Sequence, residues 1–184
     1  MNYLNSIFIM VVAFLAVFAE AWFDGIRNLI GAQIDLLPAL VVYTSLTNGI
    51  ASTATLAVFG GLWFDSLSSN PLGVSILPLF LVGFTISQCR ELLLRQNAFA
   101  QLVLGFAASA ICPLLTMFLI LNMGHNPLLG WESLWQLLIM AVGGGLLTPV
   151  CFRLFDRIHQ TLNYQPIVES SSFRADRQIK RGRN

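Results

Sequence analysis

Leu36-Leu37-Pro38-Ala39-Leu40-Val41-Val42-Tyr43-Thr44-Ser45-Leu46-Thr47-Asn48-Gly49-Ile50-Ala51-Ser52-Thr53-Ala54-Thr55-Leu56-Ala57-Val58-Phe59-Gly60-Gly61-Leu62-Trp63-Phe64 is an almost unbroken apolar run. How it is read sets the number of membrane crossings. At 1.5 Å rise per residue its roughly 29 residues are too long for one untilted crossing and too short for two ordinary ones. Asn48-Gly49, near the middle, is the obvious turn. We therefore expect two short spans, about Asp35 to Thr47 and Gly49 to Phe64, with a single tilted helix as the competing reading. Thr44, Ser45, Thr47, Asn48, Ser52, Thr53 and Thr55 cluster around the turn. Hydroxyls in an apolar setting are expected to bond backbone or a neighbouring helix.

The rest of the chain supports that setting. Of 184 residues 56% are hydrophobic and only 10% charged, and the mean hydropathy is +0.73, far from the usual soluble balance of about a quarter charged residues. The pattern predicts an all-α membrane protein, a six-helix transmembrane bundle. Its other spans are Leu4 to Phe23, Pro71 to Gln88, Phe99 to Leu121 and Trp131 to Phe155. Ala19-Glu20-Ala21 resembles a secretory cleavage site, but no Lys or Arg precedes the apolar core, so a retained first span is expected. Glu20, beside Trp22, is expected at the membrane surface. Residues 24–34 form a mixed connection with room for a short interfacial helix. The six-span domain covers 1–158, and a basic tail over 159–184 is expected to be disordered.

Between the third and fourth spans lies Gly60-Gly61-Leu62-Trp63-Phe64-Asp65-Ser66-Leu67-Ser68-Ser69-Asn70-Pro71-Leu72-Gly73. The glycines permit close helix contact, and Ser68 to Asn70 followed by Pro71 reads as the cap and first residue of the next helix. Asp65 is either a partner- or substrate-facing acid or an interfacial residue capping its own turn. Pro78 and Gly83 are expected to interrupt the fourth span. The small residues from Gly105 to Ala110, and Gly143, Gly144 and Gly145 with Pro149, suit closely packed and bent helices.

Charge sets the expected orientation. With six spans, Arg90, Arg95, Arg153, Arg157, Arg174, Arg177, Lys180, Arg181 and Arg183 share one side, and only Arg27 of the ten Lys plus Arg falls on the other. The positive-inside rule places both termini in the cytoplasm. The basic tail could meet anionic lipid or an acidic partner, or serve only to set topology.

The residues offer no catalytic, cofactor or metal site, and no nucleic-acid-binding pattern. His125 and His159 fall on opposite sides of the membrane. Gly143-Gly144-Gly145 lacks the lysine and hydroxyl of a phosphate loop. Cys89, Cys112 and Cys151 are far apart and read as packed thiols.

From Gly61 to Arg95, with Gly61, Asp65, Leu72, Gly73 and Val74 at the family's spacing, the chain resembles the MreD family of bacterial rod shape-determining membrane proteins. The likeness extends to Asp35-Leu36-Leu37 with Tyr43, and to Gly145, Pro149 and Arg153 to Ile158, covering most of residues 30 to 160. It implies a non-enzymatic subunit of the cell-elongation machinery in the cytoplasmic membrane. Its partners would be the bitopic protein MreC, cytoplasmic MreB filaments, and synthases of the RodA and penicillin-binding protein 2 type. Gly61, Asp65, Pro71, Leu72 and Gly73 would then be motif or partner-contact residues. The family is similar in its six-helix architecture to the substrate-binding subunits of energy-coupling-factor importers, so a solute-binding importer subunit is the alternative. Such subunits use alanines four apart on the first span, whereas Ala13, Ala16 and Ala19 here are three apart.

Overall fold

The computed structural model describes residues 3–22, 34–68, 70–89, 98–124 and 130–162. Among these it contains six helices and no strand: α1 (Tyr3–Trp22), α2 (Leu37–Thr47), α3 (Ile50–Leu67), α4 (Ile76–Gln88), α5 (Ala98–Asn122) and α6 (Trp131–Leu162). Segments 50–67, 98–122 and 133–158 are long and apolar enough to cross a membrane, and shorter apolar helices cover 7–20, 37–47 and 76–88. The chain is an all-α membrane protein. It divides into two compact units, residues 1–152 and 153–184; within the second, the described residues, 153–162, are helical. The expectations of a short helix in 24–33, a surface position for His125 and a disordered tail beyond Leu162 lie outside the described residues.

The long apolar run is two helices, but only the first is short: contrary to expectation the second, Ile50–Leu67, is long enough to cross a membrane and runs past Phe64. α2 ends as the Asn48 N–H donates to the Thr44 carbonyl at 2.8 Å, and Gly49 turns the chain at φ 91°, a conformation that favours glycine. Four hydroxyls around the turn are spent on the backbone. Thr44 donates to the Leu40 carbonyl, Ser45 to Val42, Thr47 to Tyr43 and Thr53 to Gly49, all at 2.7 to 2.9 Å. Their polarity is thereby cancelled within the helices, as an apolar surrounding demands.

α2 forms the centre of the unit 1–152. It touches α1, α3, α4 and α5, and every residue from Leu37 to Leu46 is buried. From α6, Phe152 meets Tyr43 edge-on at 5.0 Å between ring centroids, with both rings buried. Other helices bury one stripe each. On α1 it is Ile9, Ala13 and Val17, four residues apart, while Ile7, Val11, Phe14 and Phe18 stay exposed. An apolar surface of that extent suits helices that face lipid.

Two local expectations are corrected. Pro71 does not start a helix: residues 71–75 form turns, with the Val74 N–H on the Pro71 carbonyl and the Ile76 N–H on the Gly73 carbonyl, both at 3.3 Å. α4 begins at Ile76, and Ser68 accepts the Asn70 N–H at 3.0 Å while capping the end of α3. Nor does Pro78 interrupt the span, because it sits in the first turn of α4, where an N–H has no intrahelical acceptor to lose. The last helix also runs past Phe155, to Leu162, so the first four residues of the tail expected to be disordered over 159–184 are helical.

Candidate functional site

The motif residues converge on the junction of α3 and α4. Asp65, one of the last residues of α3, is 1% exposed. Its Oδ2 accepts the backbone N–H of Gly73 at 2.8 Å and of Ser75 at 3.1 Å, and its Oδ1 accepts the Ser75 hydroxyl at 2.5 Å. A buried carboxylate with three donors is fully engaged, as charge burial requires. Gly73 stands at φ +90°, the left-handed region that favours glycine and here aims its N–H at Asp65. Gly61 completes the junction, since a Cβ there would lie 3.0 Å from the backbone N and Cα of Ile76.

Asp65 therefore faces neither lipid nor solvent. Of the two readings its sequence position allowed, the geometry fits the residue that caps its own turn, here as a buried internal clasp. The residue this clasp presents is Leu72, 71% exposed at the tip of the turn. Pro71 beside it contributes the carbonyl that closes the turn.

A second polar junction joins the end of α1 to the start of α2. Glu20 is partly buried, and its Oε1 accepts the Leu36 N–H at 2.6 Å. Asp35 Oδ1 accepts the next donor, the Leu37 N–H, at 2.8 Å. Each of the two acids thus takes up one N–H at the start of the central helix, where the first turn leaves donors without an intrahelical acceptor. The other oxygen, Glu20 Oε2, is buried without a hydrogen-bond partner. Sequence reading placed Glu20 at the membrane surface, beside Trp22, and missed this link. The acceptor and donor are sixteen residues apart, with no local pattern to join them.

On α5 and α6 the small residues interlock. A Cβ on Gly105 would strike Thr148 Oγ1, and one on Gly144 would strike Ser109 Oγ. A Cβ on Gly145 would lie 3.2 Å from Phe106 Cβ and 3.3 Å from the Leu102 carbonyl oxygen, and one on Gly143 would meet the Ile34 side chain. Pro149 lies inside α6. Thr148 is satisfied by the Gly144 carbonyl at 2.7 Å, whereas Ser109 Oγ is buried without a partner.

Of the basic residues expected on one side of the membrane, two are among the described residues. Arg153 and Arg157, four apart on α6, are exposed, while Arg90, Arg95, Arg174, Arg177, Lys180, Arg181 and Arg183 lie outside the described residues, as does the side chain of His159. Cys89 is an exposed free thiol, and Cys112 and Cys151 are buried ones. Among the described residues no three His, Cys, Asp or Glu side chains gather as a metal site. Compared with known proteins, the chain matches no protein-family model, no curated protein and no solved structure.

Proposed function

We propose that this membrane bundle is a non-enzymatic scaffold that works by presenting helix faces to protein partners, in the manner of the MreD family its motif resembles. The observation that carries the reading is the burial of α2 on every side, from Leu37 to Leu46. A solute-capturing subunit needs a chamber lined by a few unspent polar groups. Here a helix occupies the centre, and its Thr44, Ser45 and Thr47 hydroxyls bond their own backbone. The acid of the motif is likewise spent on Gly73 and Ser75. These features favour a scaffold over an importer subunit.

In this reading the protein resides in the bacterial cytoplasmic membrane with both termini inside, as its Lys and Arg distribution favours. It holds an MreC-like bitopic protein against its helices, and its cytoplasmic basic surface, Arg153, Arg157 and the tail, faces MreB-like filaments and anionic lipid. RodA and penicillin-binding protein 2 type synthases are its further partners. The test is co-elution: the full chain, purified from its own membranes, comes off with an MreC-like protein, and its depletion turns rod cells round. Normal rods after clean deletion would reject the proposal.

A further inference from the structure

Within the unit 1–152, the corner that joins the end of α1 to the start of α2 lies deep along the bundle. Leu37 packs on Gly60 of α3 and Ile34 on Gly143 of α6, and Asp35 is close enough to act through its charge on the Cys112 thiol of α5. The apolar segments of those three helices are 50–67, 98–122 and 133–158. Gly60, Cys112 and Gly143 each fall within three residues of the middle of their segment, about 4 Å along a helix. One bilayer leaflet is roughly 15 Å of hydrocarbon. Glu20 and Asp35, held together at this corner by the Leu36 and Leu37 N–H groups, therefore lie well inside it.

Two acids at that depth need compensation that the corner does not supply. Each receives one backbone N–H, Glu20 Oε2 is buried with no hydrogen-bond partner, and Asp35 acts on Glu20 through its like charge. Few groups face the pair. α3 and α6 bring Gly60 and Gly143, α2 its first amides and α5 the Cys112 thiol, while Asp24 and Arg27 lie outside the described residues. A buried carboxylate with neither a cation nor a full set of donors is relieved most simply by taking up a proton. The same layer holds Ser109 Oγ, the other described buried side-chain oxygen without a partner. Ser109 is 2% exposed, stands three residues before Cys112 on α5, and lies against Gly144, next to the Gly143 that meets Ile34. Two orphan oxygens in one layer of the bundle mark a place where a hydrogen is wanted. We propose that Glu20 binds a proton on Oε2 within the membrane, and that this proton latches the end of α1 to the start of α2. With it the side chain is neutral and Oε1 still accepts the Leu36 N–H; without it two like charges share the corner and repel. This rests on the chain being a membrane protein and is independent of the scaffold reading.

A folded chain that holds a proton the unfolded chain gives up above about pH 4.3 loses stability as pH rises. The full chain is unfolded in an uncharged detergent between about pH 5 and about pH 8, beside Glu20→Gln, which mimics the protonated acid and cannot titrate. The two should match at the acid end. Towards the alkaline end the folding equilibrium of the natural chain should fall, relative to Glu20→Gln, by up to about tenfold per pH unit. Asp35→Asn, which removes the neighbouring charge, should carry that loss to higher pH. Infrared spectroscopy needs no unfolding: in an ester-free detergent at neutral pH the natural chain should show the carbonyl band of a protonated carboxyl, and Glu20→Gln should lack it. Parallel stability curves for the two chains would overturn the proposal. So would a natural chain that outlasts Glu20→Gln at the alkaline end, the sign of an ionised Glu20 paired with a cation, and so would a band that is missing or that survives Glu20→Gln.

Discussion

At Asp65 one side chain closes a turn of the chain by gathering three donors from residues eight and ten positions further on. Hydrogen bonds to a charged acceptor contribute about 1.5 to 3 kcal/mol each, and a buried donor left unsatisfied costs about 1 to 3 kcal/mol. Asp65→Ala should therefore lower stability by about 3 kcal/mol or more, read as a fall in the thermal midpoint in detergent. Asp65→Asn should recover only part of that, because the amide offers one acceptor oxygen to three donors. Ser75→Ala removes a single donor and should cost about 1 to 2 kcal/mol, less when Asp65 is already gone. At the other junction, Glu20→Ala should speed hydrogen exchange at the Leu36 amide, whereas Glu20→Gln keeps an oxygen acceptor for it and should leave exchange slow. Unchanged exchange in both variants would show that Glu20 does not hold the start of α2.

Among the elements, the glycines separate backbone contacts from side-chain contacts. A methyl on Gly61 meets the backbone of Ile76 at 3.0 Å, which cannot step aside, so Gly61→Ala should cost about 1 to 3 kcal/mol. A methyl on Gly60 meets only the tip of Leu37 at 2.9 Å, which can rotate, and Gly60→Ala should cost clearly less in the same unfolding measurement. Ser109→Ala deletes a buried hydroxyl without a partner and should be neutral or stabilising. The division of the apolar run at Asn48-Gly49 was legible because helix length and an Asn-Gly pair are local signals. The all-round burial of α2 was not, since lipid and protein interior are equally apolar and a helix facing either one reads alike. The true start of α4 was hidden too, because the acceptor that orders residues 73–75 is Asp65, outside any local capping pattern. Pro71 gave a true signal of a turn and a false one of a helix start.

For the molecule as a whole, the described helices of the unit 1–152 pack around a buried α2 and leave apolar outer faces exposed. Reporter fusions at either terminus should be active only on the cytoplasmic side; an external N-terminus would mean an odd number of crossings and would break the charge argument. Sequence alone carried the class, the six helices among the described residues and the short second helix. It left open what the bundle is for, because Asp65, Gly61 and Gly73 are clasp residues whose pattern reports a turn more directly than a partner. The central claim is that a bundle filled by its own second helix acts on proteins and not on solutes. Native mass spectrometry of the complex purified from its own membranes tests it most directly: the scaffold account predicts a mass equal to this chain plus an MreC-like bitopic subunit, and the chain alone carrying a water-soluble small molecule would contradict it.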